Sequence, residues 1–183
     1  MKHYSFSLVL GGITYDTPNF EDALYESCDD ALICGYGKTV YLEFEREASS
    51  YQKALMSAIS DIESANINAV VMSVDAGDYV GLSDIAELSD ITKQSIALLK
   101  DGKRGNGKFP SPVLRLSGKN ALWQWGDVAK HLAEQGKIDP EMALNAKTTE
   151  EINIALQLRN KEKQDAVLTM LSVLTEQQKV VAF

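Results

Sequence analysis

The sequence is poor in the residues that build metal centres and disulfide frameworks. Its 183 residues include only two cysteines, Cys28 and Cys34, and two histidines, His3 and His131. Two cysteines cannot form a disulfide framework or complete the four-ligand site of a zinc ribbon, and the histidines are far apart in the sequence. We therefore expect no metal and no cofactor, and we expect the cysteines to fill core space.

A long apolar run is also missing. No segment approaches the roughly 18 uninterrupted apolar residues of a membrane span. Residues 1–4 lead into an alternating pattern instead of the apolar core of a secretion signal. Hydrophobic residues make up 45% of the chain and charged residues 24%, the balance of an ordinary globular protein. These features predict a cytoplasmic protein that makes no contact with a membrane.

The motifs of the common enzyme classes are missing as well. There is no Gly-rich phosphate-binding loop, no nucleophile elbow and no metal-binding pair of histidines. The adjacent acids Asp29 and Asp30 are able in principle to serve acid–base chemistry, but a solvated turn is the favoured interpretation. We therefore expect no catalytic residue and no enzyme activity.

The charge, by contrast, is concentrated. The chain has a net charge of −8, and its first 81 residues hold 13 acidic and 4 basic residues. Residues 92–131 hold only two acidic residues against eight basic ones, which are Lys93, Lys100, Lys103, Arg104, Lys108, Arg115, Lys119 and Lys130. Because counterion release at phosphates depends on local charge, one basic block in an acidic chain is compatible with DNA binding.

The first half alternates between strand-like and helix-like patterns. Strands are predicted at residues 3–10, 31–34, 39–45 and 68–74, and helices begin near Thr17 and at Ser49–Ser50. The order strand–helix–strand–strand–helix–strand is that of a ferredoxin-like βαββαβ sandwich. This order predicts an α+β fold in which residues 1–77 form a domain for partner binding, ligand sensing or dimerisation.

Residues 82–100 contain two short helical patterns with a break between them. We expect Ser83 to cap the first helix and Thr92 the second. The inward-facing residues are predicted to be Ile85, Ala86 and Leu88 in the first helix and Ile96 and Leu99 in the second. This pattern is typical of a helix-turn-helix, whose second helix enters the major groove of DNA.

Residues 80–132 resemble the winged helix-turn-helix of MerR-like and excisionase-like regulators. The matching segments are Leu-Ser-Asp-Ile-Ala at 82–86, Thr-Lys-Gln-Ser-Ile at 92–96, Phe-Pro-Ser-Pro-Val at 109–113 and Leu-Trp-Gln-Trp-Gly-Asp-Val at 122–128. The resemblance implies a wing of two strands, followed by a helix that begins near Asp127. The sequence departs from the pattern at Asp90, where such turns usually prefer Gly, but Asp tolerates the left-handed conformation.

The residue types within residues 78–136, here called the reader, assign roles in DNA binding. Gln94 and Ser95 are expected to reach base edges and the basic residues to hold phosphates, with Asp84 and Glu87 facing away from DNA. The predicted DNA-binding residues are Thr92, Lys93, Gln94, Ser95, Lys100, Lys103, Arg104, Lys108, Arg115 and Lys119. We expect the Gly-rich segment 100–108 to be a mobile loop along phosphates, the alternative being a plain surface loop.

Two side-chain roles in the reader stay open. At least one of Trp123 and Trp125 is expected to pack the wing onto the helices, and stacking on a base is the alternative. His131 is expected to lie on the surface.

The tail, residues 137–183, is predicted to be helical. Pro140 is expected to begin one helix and Thr148 to begin another. An apolar face runs from Ile152 to Leu174 and is interrupted by the charged stretch 159–165. Such a face needs a cover, either by folding back onto its own chain or, as we prefer, by pairing with a second copy in a homodimer.

These observations predict a sequence-specific transcriptional regulator that binds double-stranded DNA. The same hypothesis includes an autoregulating antitoxin and a phage-related repressor. In it, the N-terminal domain is expected to hold a toxin or a small ligand. The alternative is a protein-interaction adaptor or antitoxin whose helix-turn-helix does not bind DNA. The basic block favours the first hypothesis, because an adaptor has no need to concentrate eight bases in one segment.

Overall fold

The computed structural model describes residues 1–75, 77–118 and 120–181. Four strands form one sheet: β1 (Lys2–Gly11), β2 (Ala31–Tyr36), β3 (Thr39–Ala48) and β4 (Val70–Val74). Their order is β2-β3-β1-β4, and every neighbouring pair is antiparallel. The expected α+β class and four-stranded antiparallel sheet are confirmed.

Two helices, α1 (Phe20–Ser27) and α2 (Tyr51–Ser64), pack on the apolar face of this sheet. Alternate strand residues such as Leu8 and Leu42 are fully buried against Leu24 and Leu55 of the helices. The Ser50 hydroxyl caps α2 by accepting from the Lys53 N–H at 3.3 Å, as expected. On the opposite sheet face, β3 presents Glu43, Glu45 and Glu47 to solvent, and the edge strand β2 exposes Leu32 and Tyr36.

The turn before β2 is not simply solvated. Both carboxylate oxygens of Asp30 accept from Arg46, with Nε–Oδ2 and Nη2–Oδ1 distances of 2.7 Å. Arg46 also donates to Asp61 at 2.7 Å, and its hydrogen bonds lower the pKa of Asp30 below the usual range of a carboxyl. The expectation of a solvated turn is therefore wrong for Asp30, since its partners lie far along the chain and no local pattern reveals them.

The two cysteines have different environments. Cys28 is buried in the core as expected, and this burial raises the pKa of its thiol to about 11. Cys34 lies opposite Tyr41 on the outer sheet face and is only half-buried, so its assignment to the core is wrong.

The reader has its own small core. It consists of β5 (Tyr79–Val80), α3 (Leu82–Ser89), α4 (Lys93–Lys100), β6 (Trp123–Gln124) and α5 (Trp125–Glu134). Ile85 of α3, Ile96 of α4 and Val128 of α5 are fully buried together, and β5 pairs antiparallel with β6. Helix α5 begins at Trp125, two residues before the expected start, because its first residue packs into this core.

The start and the buried face of α3 differ from expectation. The cap residue of α3 is Gly81 and not Ser83. The Gly81 N–H donates to Asp84 Oδ2 at 2.8 Å. Leu88 is 39% exposed, and Ser89 is buried in its place. A small serine fits here because its hydroxyl donates to the Ile85 carbonyl of its own helix at 2.6 Å and needs no other partner.

The expected two-stranded wing is reduced to a short hairpin. Among its described residues, only Leu114 and Leu122 form a bridge, and β6 pairs with β5 instead of continuing the hairpin. Pro112 has no N–H to donate, and Arg115 has a φ of 56°, which turns the chain immediately after Leu114. These two features limit the ladder to one residue pair.

The tail forms two helices, α6 (Pro140–Gln157) and α7 (Lys161–Val181). Pro140 is the first helical residue as expected, but Thr148 lies inside α6 and begins no helix. Helix α6 folds back onto its own chain, with Ala146 in the core of the reader and Ile152 in the core of the first half. The apolar face of α6 is therefore covered by its own chain. The prediction that a second copy covers this face is wrong for α6.

Polar contacts reinforce the position of α6. Asn153 Oδ1 accepts from the Val74 N–H at 2.7 Å, while Asn153 Nδ2 donates to the Val74 carbonyl and to the Asp78 carboxylate. On the reader side, Gln124 Nε2 donates to Glu150. Helix α6 thus fixes the reader to the first half. In the part of the chain that the structure describes, no helix is long and apolar enough to cross a membrane.

Candidate nucleic-acid interface

The first turn of α4 presents polar side chains to solvent. Thr92 caps this helix as expected, since its hydroxyl accepts from the Ser95 N–H at 3.3 Å and lies 2.9 Å from the Ser95 hydroxyl. Gln94 is exposed and makes no hydrogen bond with the described residues. Its amide is therefore free to meet both a donor and an acceptor of a ligand.

The opposite face of α4 is held firmly. Ile96 is fully buried and Leu99 nearly so, as expected. The turn before the helix is fixed by Asp90, whose φ of 53° is left-handed, and by the Ile91 N–H, which donates to the Ala86 carbonyl at 3.1 Å. The core and the turn together present α4 as a rigid element.

A cleft of about 750 Å³ separates α4 from the hairpin. Three predicted phosphate-binding residues border it: Lys93, Lys100 and Arg115. Lys93 and Lys100 are two turns apart, so they lie on one side of α4 and face Arg115 across the cleft. Lys93 Nζ also donates to the Ser83 hydroxyl at 2.7 Å, which ties the start of α4 to the start of α3. The arrangement brings three cations around one open channel.

Two acids moderate this positive charge. Asp84 borders the cleft with its carboxylate on the Gly81 N–H, so it lies beside the predicted phosphate-binding residues. Asp101 accepts from Lys100, and this hydrogen bond lowers the pKa of Asp101. Both carboxylates accept hydrogen bonds from donors of the protein. Because Asp101 pairs with Lys100, the less neutralised cations of the cleft are Lys93 and Arg115.

The segment after α4 forms a hydrogen-bonded turn. Gly102 and Gly105 have φ of 66° and 78°, which only glycine adopts easily. The N–H groups of Lys103 and Arg104 both donate to the Leu98 carbonyl, at 2.9 and 3.2 Å. This turn brings Arg104 back to the start of α4, where its Nη1 donates to the Ser95 hydroxyl at 3.3 Å.

The predicted site residues fall into three groups. Thr92, Gln94, Ser95 and Arg104 lie together around the first turn of α4. Lys93, Lys100 and Arg115 border the cleft. Lys103 and Lys108 are exposed in the turn after α4, and Lys119 lies outside the described residues.

The two tryptophans of the reader are not part of its surface. Trp123 and Trp125 are both buried, and Trp123 Nε1 donates to the Pro110 carbonyl at 3.0 Å. Packing of the hairpin by tryptophan is therefore confirmed, and stacking on a base is wrong. His131 is buried against Phe109, with ring centroids 5.7 Å apart, so its expected surface position is also wrong; burial lowers the pKa of this imidazole.

Comparison of the chain with protein-family models, with curated proteins and with solved structures finds no match. Among the described residues, no three His, Cys, Asp or Glu side chains lie close enough together to hold a metal ion. The function is therefore inferred from the geometry around α4.

Proposed function

We propose that this protein is a sequence-specific regulator of transcription that binds double-stranded DNA through α4. The observation that carries the proposal is the free amide of Gln94 on a rigid helix, flanked by Arg104 on one side and by a cleft with three cations on the other. Base-reading and phosphate-holding groups are thus arranged around one short helix, which is the division of labour that DNA readers use.

The dimensions support this proposal. An α-helix with its side chains is about 10–12 Å in diameter, and the major groove is about 12 Å wide, so α4 fits into it. With α4 in the groove, Gln94 forms two hydrogen bonds to an adenine, and the Ser95 hydroxyl donates its proton to a neighbouring base. Arg104, held beside Ser95, reaches the phosphate next to the same base pair.

The hairpin serves as the wing of a winged helix-turn-helix in this proposal. A DNA backbone that follows the cleft passes between α4 and the hairpin, where it meets Lys93 on one side and Arg115 on the other. Lys103 and Lys108 are exposed beyond the end of α4 and reach the adjacent phosphates. This division predicts that the cleft residues supply affinity and the first turn of α4 supplies sequence choice.

The first half has the strand order and antiparallel pairing of a ferredoxin-like sandwich, and we assign it that fold. Its acidic charge keeps it away from phosphates. It carries the signal that regulates DNA binding, either a protein such as a toxin or a small ligand.

A second candidate function is that of an adaptor that binds only proteins. The observation in its favour is an exposed apolar patch on the outer sheet surface, where Leu32 is 57% and Tyr36 84% exposed. Such a patch is typical of protein contacts. The adaptor leaves the cations of the cleft without a role, and for this reason we prefer the regulator.

Selection of bound sequences from a random duplex pool distinguishes the two functions. The regulator enriches a defined motif, and Gln94→Ala broadens that motif at one base pair. A matched control is Lys53→Ala, which removes an exposed base of α2, far from the reader in sequence, and should leave the motif unchanged. The absence of any enriched motif for the wild-type chain would refute the regulator and favour the adaptor.

A further inference from the structure

The last helix, α7, is apolar and uncovered. Six of its large apolar side chains are between 37% and 65% exposed: Val167, Leu168, Met170, Leu171, Val173 and Leu174. The side-chain hydrogen bonds of its described part stay within the helix and the Asn160 turn, for example from Thr169 to the Asp165 carbonyl and from Ser172 to the Thr169 carbonyl. The described side chains of α7 therefore make no polar contact with the sheet or the reader.

The apolar side chains lie on one broad face. At 100° per residue, the apolar residues from Ala166 to Leu174 span a continuous arc of about 220°. The ten residues 166–175 include no charged side chain. A helix of this kind gains most of its stability from packing of the apolar face, because helices in isolation are marginal in water.

A groove at the base of α7 adjoins this apolar surface. It has a volume of about 650 Å³, and its apolar border includes Val70 and Met72 of the sheet edge and Ala166 of α7. The rest of its border includes polar and charged side chains, which are Gln157, Arg159, Asn160, Glu162 and Lys163. Val70 and Met72 are both exposed in the groove. The apolar face of α7 thus continues into an open groove beside its own first turns, and one partner helix can lie along both.

The charges are compatible with a second copy as the partner. Because segment 166–175 carries no charge, an identical segment packs on it without burying an unpaired charge. Lys163 lies four residues before Val167 and seven before Met170, so it shares their face. In a parallel pair of identical helices the two Lys163 ammonium groups would meet; in an antiparallel pair each would lie near the negative C-terminal end of the partner helix.

We propose that α7 pairs with α7 of a second copy in antiparallel orientation. The neutral segments of the two helices pack on each other about a two-fold axis near Met170 and Leu171. The C-terminal part of each helix extends toward the groove at the base of the other. Each copy thus covers the apolar face and the groove of its partner.

This pairing gives the protein two readers. A two-fold pair of readers suits an inverted repeat in DNA, and this consequence alone rests on the proposed function. The pairing itself rests on the exposed face, the neutral segment and the position of Lys163.

The oligomeric state of the full chain tests the pairing. Sedimentation equilibrium of the wild-type chain should give the mass of a dimer. Leu171→Glu places a charge in the middle of the apolar arc and should give a monomer. Ser172→Glu is the matched control, since it adds the same charge on the polar side of the helix, and should remain a dimer. A wild-type chain that is monomeric at every concentration measured, or a Leu171→Glu variant that is still a dimer, would overturn the proposal.

Disulfide cross-linking tests the orientation. In a Cys34→Ser background, Met170→Cys places a thiol near the two-fold axis and should form a covalent dimer on oxidation, because disulfides need Cα atoms within about 7 Å. Lys163→Cys should not cross-link, since the two positions lie at opposite ends of an antiparallel pair. Efficient cross-linking of Lys163→Cys would refute the antiparallel orientation.

The pairing and the proposed function fail in different experiments. Alanine at both Lys103 and Arg104 should weaken DNA binding and leave the dimer intact, whereas Leu171→Glu should retain weak binding to one half of the repeat. A dimer without affinity for any DNA would refute the regulator and leave the pairing in place. A wild-type monomer that binds DNA specifically would refute the pairing and leave the regulator in place.

Discussion

Truncation of the Asn153 side chain tests how the two halves of the protein are joined. Asn153 is buried, and its amide pairs with both backbone groups of Val74 and with the Asp78 carboxylate. Asn153→Ala leaves the buried Val74 N–H without its acceptor, which costs about 1–3 kcal/mol, and removes a further hydrogen bond from Asp78. We expect a total loss of about 2–3 kcal/mol in the free energy of unfolding.

Thermal and urea unfolding followed by circular dichroism measure this loss. For a chain of this length, each kcal/mol lowers the Tm by roughly 2–4 °C, so the expected decrease is roughly 4–12 °C. Ile154→Ala is the matched control, because this neighbouring side chain of α6 is half exposed and makes no hydrogen bond. Both changes introduce the strong helix former Ala, so the difference between them isolates the buried amide. Equal stability of the two variants would show that α6 is not anchored on β4.

Three further predictions concern the reader and its junction with α6. Gln94→Ala should cost about 1–3 kcal/mol at the preferred DNA site and barely change binding to random DNA; equal losses on both, in fluorescence titrations, would exclude α4 as the reading element. With about six phosphate contacts, binding should weaken about a thousandfold between 50 and 200 mM salt. Alanine at Lys103 and Arg104 should flatten this dependence, and a salt-insensitive wild-type complex would contradict phosphate binding by the basic block. Burial, with the charges of Asp127 and Asp78, raises the pKa of Glu150 above its ordinary value. The stability linked to this raised pKa is fully present below the ordinary glutamate value and is lost as pH rises through the raised one. Glu150→Gln should therefore raise the Tm at neutral pH but not at acidic pH, and an equal effect at both would contradict the linkage.

The fold of the first half follows closely from local patterns. Alternation in β1 and β3 identifies which residues face the core, since a shift by one residue would bury Glu43 and Glu45 and expose Leu42 and Phe44. The polar cap at Ser50 and the left-handed Asp90 are similarly local signals. What the sequence could not reveal are contacts between distant residues, such as the pairing of Asp30 with Arg46.

The buried face of α3 shows a limit of pattern reasoning. Leu88 and Ser89 are three and four residues after Ile85, so both are compatible with the helical spacing, and hydrophobicity favours Leu88. The structure buries Ser89, because its hydroxyl is satisfied within the helix and its small size allows close packing. The choice between the two depends on the neighbouring helices and not on α3 itself.

The candidate site is predictable in its composition but not in its geometry. The residue types of α4 and the basic block are visible in the sequence. The contact of Arg104 with Ser95 depends on the left-handed glycines that follow α4, and the position of Asp84 in the cleft depends on a helix cap at Gly81 instead of Ser83. Both are consequences of backbone conformation at single residues, which a residue pattern does not specify.

Helix α6 covers one side of the reader and leaves the side with α4 open. It contacts the reader through α5 and β6: Ala146 joins the core beside α5, and Glu150 accepts from Gln124 of β6. The cleft and the first turn of α4 are formed by other elements and stay uncovered. Helix α6 also fixes the acidic first half through Asn153. In the proposed complex this half repels DNA from its own side, and α4 is the surface that meets the groove.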